Sequence, residues 1–355
     1  VGSVAGALSG KDEPGLKVAV YYNNSDVRIE EMPLPEIGPD EILVRVEASG
    51  ICGSDVMEWY RIKKAPLVLG HEVAGVVENV GRLVTKFCPG DRVSVAHHVP
   101  CNACRYCLRG EFSVCDTLRT TNFDPGGFAQ YIRVPAINVD RGVFIIPGDM
   151  TFDDATFIEP LGCVVRGMRR ARFSAGQSVL VIGSGISGLL HVKLARALGA
   201  TTIIATDVVD ARLKMAETAG ADFVFNARLD IPEKVRAALG RGADMVVITA
   251  GSAPAIRQAL SSVDRGGTIV FFAPAMPGET FPMPLFELWR DNITVINTYA
   301  SPPVDTVSAL DLIGSGVVEV ADLITHKLPI DDAARGFRLV AEANESIKVI
   351  IEPNA

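Results

Sequence analysis

The stretch 177–207, QSVLVIGSGISGLLHVKLARALGATTIIATD, constrains the fold of this chain more than any other. An apolar run enters a glycine turn, an amphipathic stretch follows, and a second apolar run ends on an acid. Apolar residues recurring at helical spacing in ISGLLHVKLARALGA predict a helix between two strands. Strands without polar alternation are buried on both faces, and a helical crossover between them makes them parallel with a right-handed connection. The alternation goes on through ARLKMAETAGA, DFVFN, PEKVRAALG, DMVVITA, AIRQALSSV, GTIVFFA and NITVINTYA. An α/β doubly wound parallel sheet covered by helices is therefore predicted for the middle of the chain.

The glycine turn reads Gly183-Ser-Gly185-Ile186-Ser187-Gly188, with Asp207 nineteen residues further on at the end of the next strand. Glycines allow the tight turn and close backbone approach, the helix N-terminus attracts a pyrophosphate, and a terminal carboxylate accepts hydrogen bonds from ribose hydroxyls. These residues predict a dinucleotide site. Asp207 repels a 2′-phosphate, so NAD is expected rather than NADP. Arg212, five residues on, either reaches a phosphate or lies exposed on its helix, and both readings stay open.

Residues from about 17 to 150 are different. KVAVYY, EILVRVEA, EVAGVVENVG, DRVSVA and FAQYIRVP are short β-like runs broken by Gly, Pro and Asp, which predicts a small, partly open barrel. After 302, VDTVSALDLIGSG and ESIKVIIEP are too few to build a third core, so the chain is expected to return to the first domain. The expected division is 1–161, 162–302 and 303–355. With 355 residues, the chain has the length for roughly two domains.

The chain carries 34 basic and 42 acidic residues, a formal charge of -8. Such a field repels phosphate backbones and disfavours nucleic acid as a partner. No apolar run is long enough for a membrane span, and the opening VGSVAGALSGKDEPG lacks the basic start and solid apolar core of a signal peptide. A soluble, cytoplasmic protein is expected. Reduced thiols follow, since disulfides are rare in that compartment.

Four of the seven cysteines are spaced Cys101-x2-Cys104-x2-Cys107-x7-Cys115. Four thiolates this close surround one tetrahedral zinc and leave no position for substrate, the pattern of a structural site. The spacing does not fit ferredoxin iron–sulfur patterns. The lobe, about 97–118, is expected to need metal to fold. A nucleic-acid zinc module is a weaker reading, because Arg105, Arg109 and Arg119 are scattered among acids.

Further ligand types are spread along the chain: Cys52 in SGICGSD, His71 and Glu72 in LGHEVAG, and Glu159 in FIEPLG. An isolated cysteine or histidine is usually structural, but a mixed sulfur, nitrogen and carboxylate set is what a catalytic zinc with an open position requires. With SGICGSD, PLVLGHEVAGVVENVG, PGDRV, the four-cysteine lobe, EPLGC and VIGSGISG in this order, the sequence from about 17 onward resembles the zinc-dependent medium-chain alcohol and polyol dehydrogenases, the family of sorbitol and threonine dehydrogenases.

The resemblance implies a largely β, GroES-like catalytic domain carrying a structural zinc lobe, joined to a Rossmann-type domain. It implies one catalytic and one structural zinc per subunit, NAD as cofactor, a small alcohol or polyol as substrate, and a homodimer or homotetramer paired through NITVINTYA. Cys52 and His71 would be constant zinc ligands, Glu159 the third, and Glu72 an alternate. Ser54 would pass on the substrate proton, Asp55 would orient His71, and Lys348 would meet the cofactor pyrophosphate. Where several relatives continue the relay through a histidine, this chain has Met57 and Glu58.

Other features are expected to be structural. The basic run 166–173, RGMRRARF, is read as the outer face of a linking helix. Cys88 and Cys163 are read as packing residues, and His97 and His98 as a strand-end pair that could line the cleft. His191 and His326 receive no role. Trp59, Phe123 and Trp289 are either pocket walls or core. A zinc-free quinone or enone reductase and a non-catalytic NAD-binding protein are the rival functions, and the intact ligand set argues against both.

Overall fold

A computed structural model describes residues 15–355; residues 1–14, and with them nearly all of the opening segment read above, lie outside it. The middle of the chain forms a six-stranded parallel sheet in the order Phe223–Asn226, Thr202–Asp207, Ser178–Ile182, Ala243–Ile248, Val263–Phe271, Thr294–Asn297. The chain builds outward to one edge, then crosses over and builds to the other. The order therefore reverses between Ser178–Ile182 and Ala243–Ile248, where doubly wound sheets bind ligands at their carboxyl ends.

Two-residue alternation sends successive side chains of these strands to opposite faces. Val179, Val181, Ile203, Ala205, Met245 and Val247 pack on one face with helices Ile158–Arg170, Ile186–Ala197 and Pro303–Gly314. Leu180, Ile182, Ile204, Val246 and Ile248 pack on the other with Ile231–Leu239 and Ala253–Ser262. Both of those helices start on side-chain caps, Asp230 accepting from Glu233 N–H and Ser252 from Ala255 N–H.

The flanking chain forms a seven-stranded sheet. Its main path runs Ile324–Pro329, Lys348–Glu352, Ile42–Gly50, Glu72–Val80, Arg92–Ala96, Val143–Ile145, and Tyr131–Val134 pairs with Ile42–Gly50. Asp26–Met32, Leu16–Asn23 and Leu67–Val68 form a separate three-stranded sheet. The larger sheet ends on two different edge strands and does not close, in keeping with a partly open barrel. The chain's last strand pairs Ile350 with Gly50 and Ile351 with Ser49, which brings residues near the C-terminus beside those near the N-terminus.

Helix Pro303–Gly314 packs on helix Ile158–Arg170 and buries Ala309 and Ile313 in a core that also takes in Ile146 and Met150 of the flanking chain, and the chain rejoins the seven-stranded sheet at Ile324. The apolar stripe of helix Ile158–Arg170 needs a partner, and this helix supplies it. That same Ile158–Arg170 helix runs unbroken across position 161/162.

The basic run is an outer face only in part: Arg169 is exposed, but Arg166 is not. Arg166 is 1 % exposed, its Nη2 donates to Ser113 Oγ at 3.0 Å, and Asp305 lies 3.8 Å from Nη1. Arg169 grips Asp305 with two bonds of 2.7 and 2.8 Å, and Arg170 pairs with Glu111 at 2.8 Å. The acids that pair with these arginines come from segments distant in sequence.

At the glycine turn, Gly183 has φ +98°, and a Cβ on Gly188 would overlap the Gly183 carbonyl oxygen. The strand-to-helix turn is closed by this backbone contact, so Gly188→Ala must push the helix off the sheet. We expect it to cost about 1–3 kcal/mol, the usual penalty for overpacking, read as a lowered denaturant midpoint; an unchanged midpoint would contradict the contact.

Candidate metal centres and cofactor site

Ile186 opens the helix Ile186–Ala197, with Gly185 at the cap position and Ser187 and Gly188 in the first turn. Asp207, at the end of its strand, accepts from Ser184 N–H at 2.8 Å and from Val209 N–H at 2.9 Å. The acid is thus fastened to the glycine turn itself. Thr249, just past the strand Ala243–Ile248, donates to the carbonyls of Gly183 and Ile182 at 2.8 and 3.0 Å and joins the turn to the switch point. Arg212 is half-buried, and its Nη1 would stand 3.7 Å from a Cβ on Gly185. The guanidinium leans over the helix N-terminus, where an anion binds. Thr249 carried no signal in the sequence.

The second constellation assembles where three segments meet. Cys52 precedes the short turn Gly53–Val56, with its sulfur capping Ser54 N–H and Asp55 returning a bond to Cys52 N–H. Glu72 opens the strand Glu72–Val80 next to His71, and Glu159 lies in the first turn of helix Ile158–Arg170. Donor atoms of Cys52, His71 and Glu72 all lie within 4.8 Å of one another. One sulfur, one imidazole nitrogen and a carboxylate, nearly enclosed, fit a zinc with an open position.

Buried Asp55 stands 3.3 Å from His71 Nδ1. Burial alone would lower the His71 imidazole, yet Asp55 and Cys52 together raise it well above the ordinary value. Burial opposes ionisation of Asp55 in turn, but His71, Arg61 and the Cys52 N–H hold it below the usual carboxylate range. Such a carboxylate fixes the imidazole tautomer and its direction. Burial raises the Glu159 carboxyl, with His71 opposing and Glu72 adding to the shift. Cys163, one helical turn on, donates to Glu159 Oε1 at 3.5 Å. It supports that carboxylate rather than serving as a packing residue, and Cys88 is exposed.

The expectation for Lys348 is corrected. Its ammonium is buried, ion-paired to Glu72 Oε2 and 4.9 Å from the centre of the Phe157 ring. The reason lies in strand pairing, which sets the start of Lys348–Glu352 beside Gly50. A Cβ on Gly50 would collide with both Lys348 Nζ and Glu72 Oε2.

His97 and His98, just past the end of strand Arg92–Ala96, form a column of imidazoles above His71. His71 and His97 have ring centres 4.7 Å apart, His97 and His98 3.7 Å, and Tyr299 follows at 6.3 Å from His98. Burial, aided by neighbouring cations, lowers His97 well below its ordinary value and His98 to about 3. Both rings are neutral near pH 7. Of the aromatics considered as walls, Phe123 is in the β-domain core and Trp289 is 77 % exposed, while Trp59 is half-buried. His191 is buried, its Nδ1 2.7 Å from the Ser187 carbonyl.

In the lobe, the sulfurs of Cys101, Cys104, Cys107 and Cys115 lie within 4.8 Å of one another. Backbone N–H groups of Ala103 and Cys104 donate to Cys101 Sγ at 3.5 and 3.2 Å, and Cys101 N–H donates to Cys115 Sγ at 3.4 Å. Burial raises Cys115, but the N–H groups of Cys101 and Leu118 outweigh it and bring the thiol to about 6; burial first, then Cys104, pushes Cys107 to about 12. Four sulfurs bathed in donors fit a closed zinc site. The lobe's own core is only Cys107, Cys115 and Leu118 with a few partners.

Comparison with known proteins agrees with this geometry. Residues 38–143 match the family described as "Alcohol dehydrogenase GroES-like domain" and 187–315 match "Zinc-binding dehydrogenase". Sorbitol dehydrogenase of Bacillus subtilis (strain 168) is 33% identical over 352 residues, covering 96% of this chain and 98% of that protein. Sorbitol dehydrogenase of Mus musculus is 31% identical, covering 94% and 96%. Among solved structures, a zinc-binding dehydrogenase of Sinorhizobium meliloti 1021 bound to NADP has a TM-score of 0.87 at 29% identity, covering 96% of this chain and 100% of that one.

The chain belongs to the zinc-dependent medium-chain dehydrogenase family. Within it, this is an oxidoreductase of the alcohol and polyol type, using a nicotinamide dinucleotide and zinc. No helix among the described residues is long and apolar enough to cross a membrane.

Since the lobe has so small a core, Cys101→Ser is expected to lower the melting temperature and to remove metal from the lobe. An unchanged melting temperature, read by calorimetry beside metal analysis, would refute the structural role.

Proposed function

We propose that the chain oxidises a secondary alcohol on a polyol or amino-alcohol, and reduces the corresponding ketone, with NAD(H) as the hydride partner. The observation that carries this reading is the buried convergence of Cys52, His71 and Glu72, with Glu159 against the same group. Curated relatives named for sorbitol and for D-xylulose support a polyol substrate. A zinc held by Cys52 and His71 with Glu159 as third ligand, or with Glu72, which lies within reach of both, would supply a Lewis acid for the substrate oxygen, and NAD would supply the hydride acceptor.

This chain's own residues do the rest. Asp55 keeps His71 in one tautomer, and Cys163 steadies Glu159. Glu72 would be the alternate ligand, and Lys348 balances its charge. Ser54, two residues from Cys52, takes the hydroxyl proton of the substrate. At the cofactor, Gly183 turns the chain, Gly185 leaves room for the pyrophosphate to approach the backbone, Gly188 lets the helix close on the turn, Ile186 and Ser187 offer N–H groups at the helix start, and Arg212 adds positive charge there.

Asp207 keeps lone pairs free for ribose hydroxyls after accepting its two backbone bonds. A fixed carboxylate there favours NAD, although the Sinorhizobium relative was solved with NADP. The edge strand Thr294–Asn297 has Val295 at 37 % exposure, and a homodimer or homotetramer paired through it is part of this reading.

Cys52→Ser or His71→Ala is expected to abolish NAD-dependent polyol oxidation while the melting temperature stays near that of the parent. A variant lacking the second zinc that kept the parent kcat would end this reading in favour of zinc-free chemistry. Steady-state kinetics should give a kcat/KM for NAD at least about tenfold above that for NADP, or ~1.4 kcal/mol. A ratio favouring NADP would overturn the role of Asp207.

A further inference from the structure

Arg61 belongs to none of the motifs above. It ends the short helix Glu58–Arg61, and its side chain is 15 % exposed. Its Nε donates to the Ser54 carbonyl at 2.9 Å and its Nη2 to Ser54 Oγ at 3.1 Å. The same Nη2 lies 3.3 Å from Asp55 Oδ1, the oxygen that also faces His71 Nδ1. One guanidinium thus touches both the hydroxyl beside the metal site and the carboxylate that orients a metal ligand. The Tyr60 ring, with its centre 4.8 Å from the guanidinium carbon, packs against it.

We propose that Arg61 is a positioning residue for proton removal, fixing the direction of the Ser54 hydroxyl and holding a permanent positive charge against it. The inference rests on the reading of Ser54 as the first proton acceptor. A serine hydroxyl has two lone pairs and one hydrogen. Arg61 occupies one lone pair. The other receives the substrate's proton, so the serine's own hydrogen must leave along the one remaining direction.

Arginine has no acceptor and stays charged, so the proton does not pass through it. Its part is to stabilise the negative charge that builds on the serine oxygen as the serine's own hydrogen leaves to water ahead of the substrate's proton, as a preorganised cation does in a site shielded from water. The balance is complete. One proton goes from the substrate hydroxyl to Ser54 Oγ, one goes from Ser54 Oγ to water, and two electrons leave with the hydride to the nicotinamide. A lysine in this place reaches one of the partners, not all three, because its ammonium is a point charge without the planar fork.

The test is a double-mutant cycle in the zinc-loaded enzyme with NAD and a polyol substrate, under conditions where hydride transfer limits the rate. Arg61→Ala is expected to lower kcat by about 10- to 100-fold, the range for losing a charged hydrogen bond, with KM for NAD unchanged. Arg61→Lys should recover part of the loss, and added guanidinium should partly restore Arg61→Ala, which a purely structural defect would not allow. In a Ser54→Ala background, Arg61→Ala should cost little more, because the two act as a unit.

Full additivity of the two substitutions, or a parent kcat for Arg61→Ala, would overturn the role of Arg61. A parent kcat for Ser54→Ala would instead remove the relay reading beneath it, so the two failures are told apart. Should Arg61→Ala fold poorly, Arg61→Lys against Arg61→Lys/Ser54→Ala runs the same cycle with the charge retained.

Discussion

The ion pair between Glu72 and Lys348 is the interaction on which the arrangement of this chain turns. Both side chains are buried, and they come from positions 276 residues apart. Removing one partner of such a pair leaves an uncompensated charge inside the protein and costs about 3–5 kcal/mol. The pair therefore ties the last strand to the strand that begins beside His71. It also demands Gly50 between them, since any Cβ there meets both charged groups. Sheet pairing, the missing side chain and the charge balance of the metal site are one constraint seen from three sides.

What was legible in the sequence was what local spacing encodes. The glycine turn, the acid closing the next strand and the four-cysteine run each sit within a few dozen residues, and each is held by contacts between near neighbours. Cys52, His71, Glu72 and Glu159 were legible as ligand types through the family resemblance, because no spacing along the chain brings them together. Lys348 was misread because its partner is chosen by strand register, which a single sequence does not display. The same holds for Arg166, whose burial depends on Asp305 and Ser113 far along the chain. Helix Pro303–Gly314 was legible as a helix, but its apolar stripe does not name helix Ile158–Arg170 as the surface that covers it.

The polar groups around the metal site are sorted by their partners. Asp55 has His71, Arg61 and a backbone N–H, and it remains an anion despite complete burial. His97 and His98 have no carboxylate to compensate burial and are neutral. The column of rings thus changes character with height, from an imidazole held by a carboxylate at its foot to uncharged rings above it. Neutral imidazoles stacked on His71 cover it without adding a competing charge beside it.

Helix Ile158–Arg170 passes through all of these regions. Its first turn carries Glu159, its middle is buried against the parallel sheet, and its last turns hold Ser113, Glu111 and Asp305 through three arginines. It acts as a rigid axle, fixing the distance between the carboxylate at one end and the thiolate knuckle at the other. Any opening and closing of the molecule around its cofactor has to rotate about this axle or bend elsewhere, carrying the knuckle and the carboxylate together as a single body.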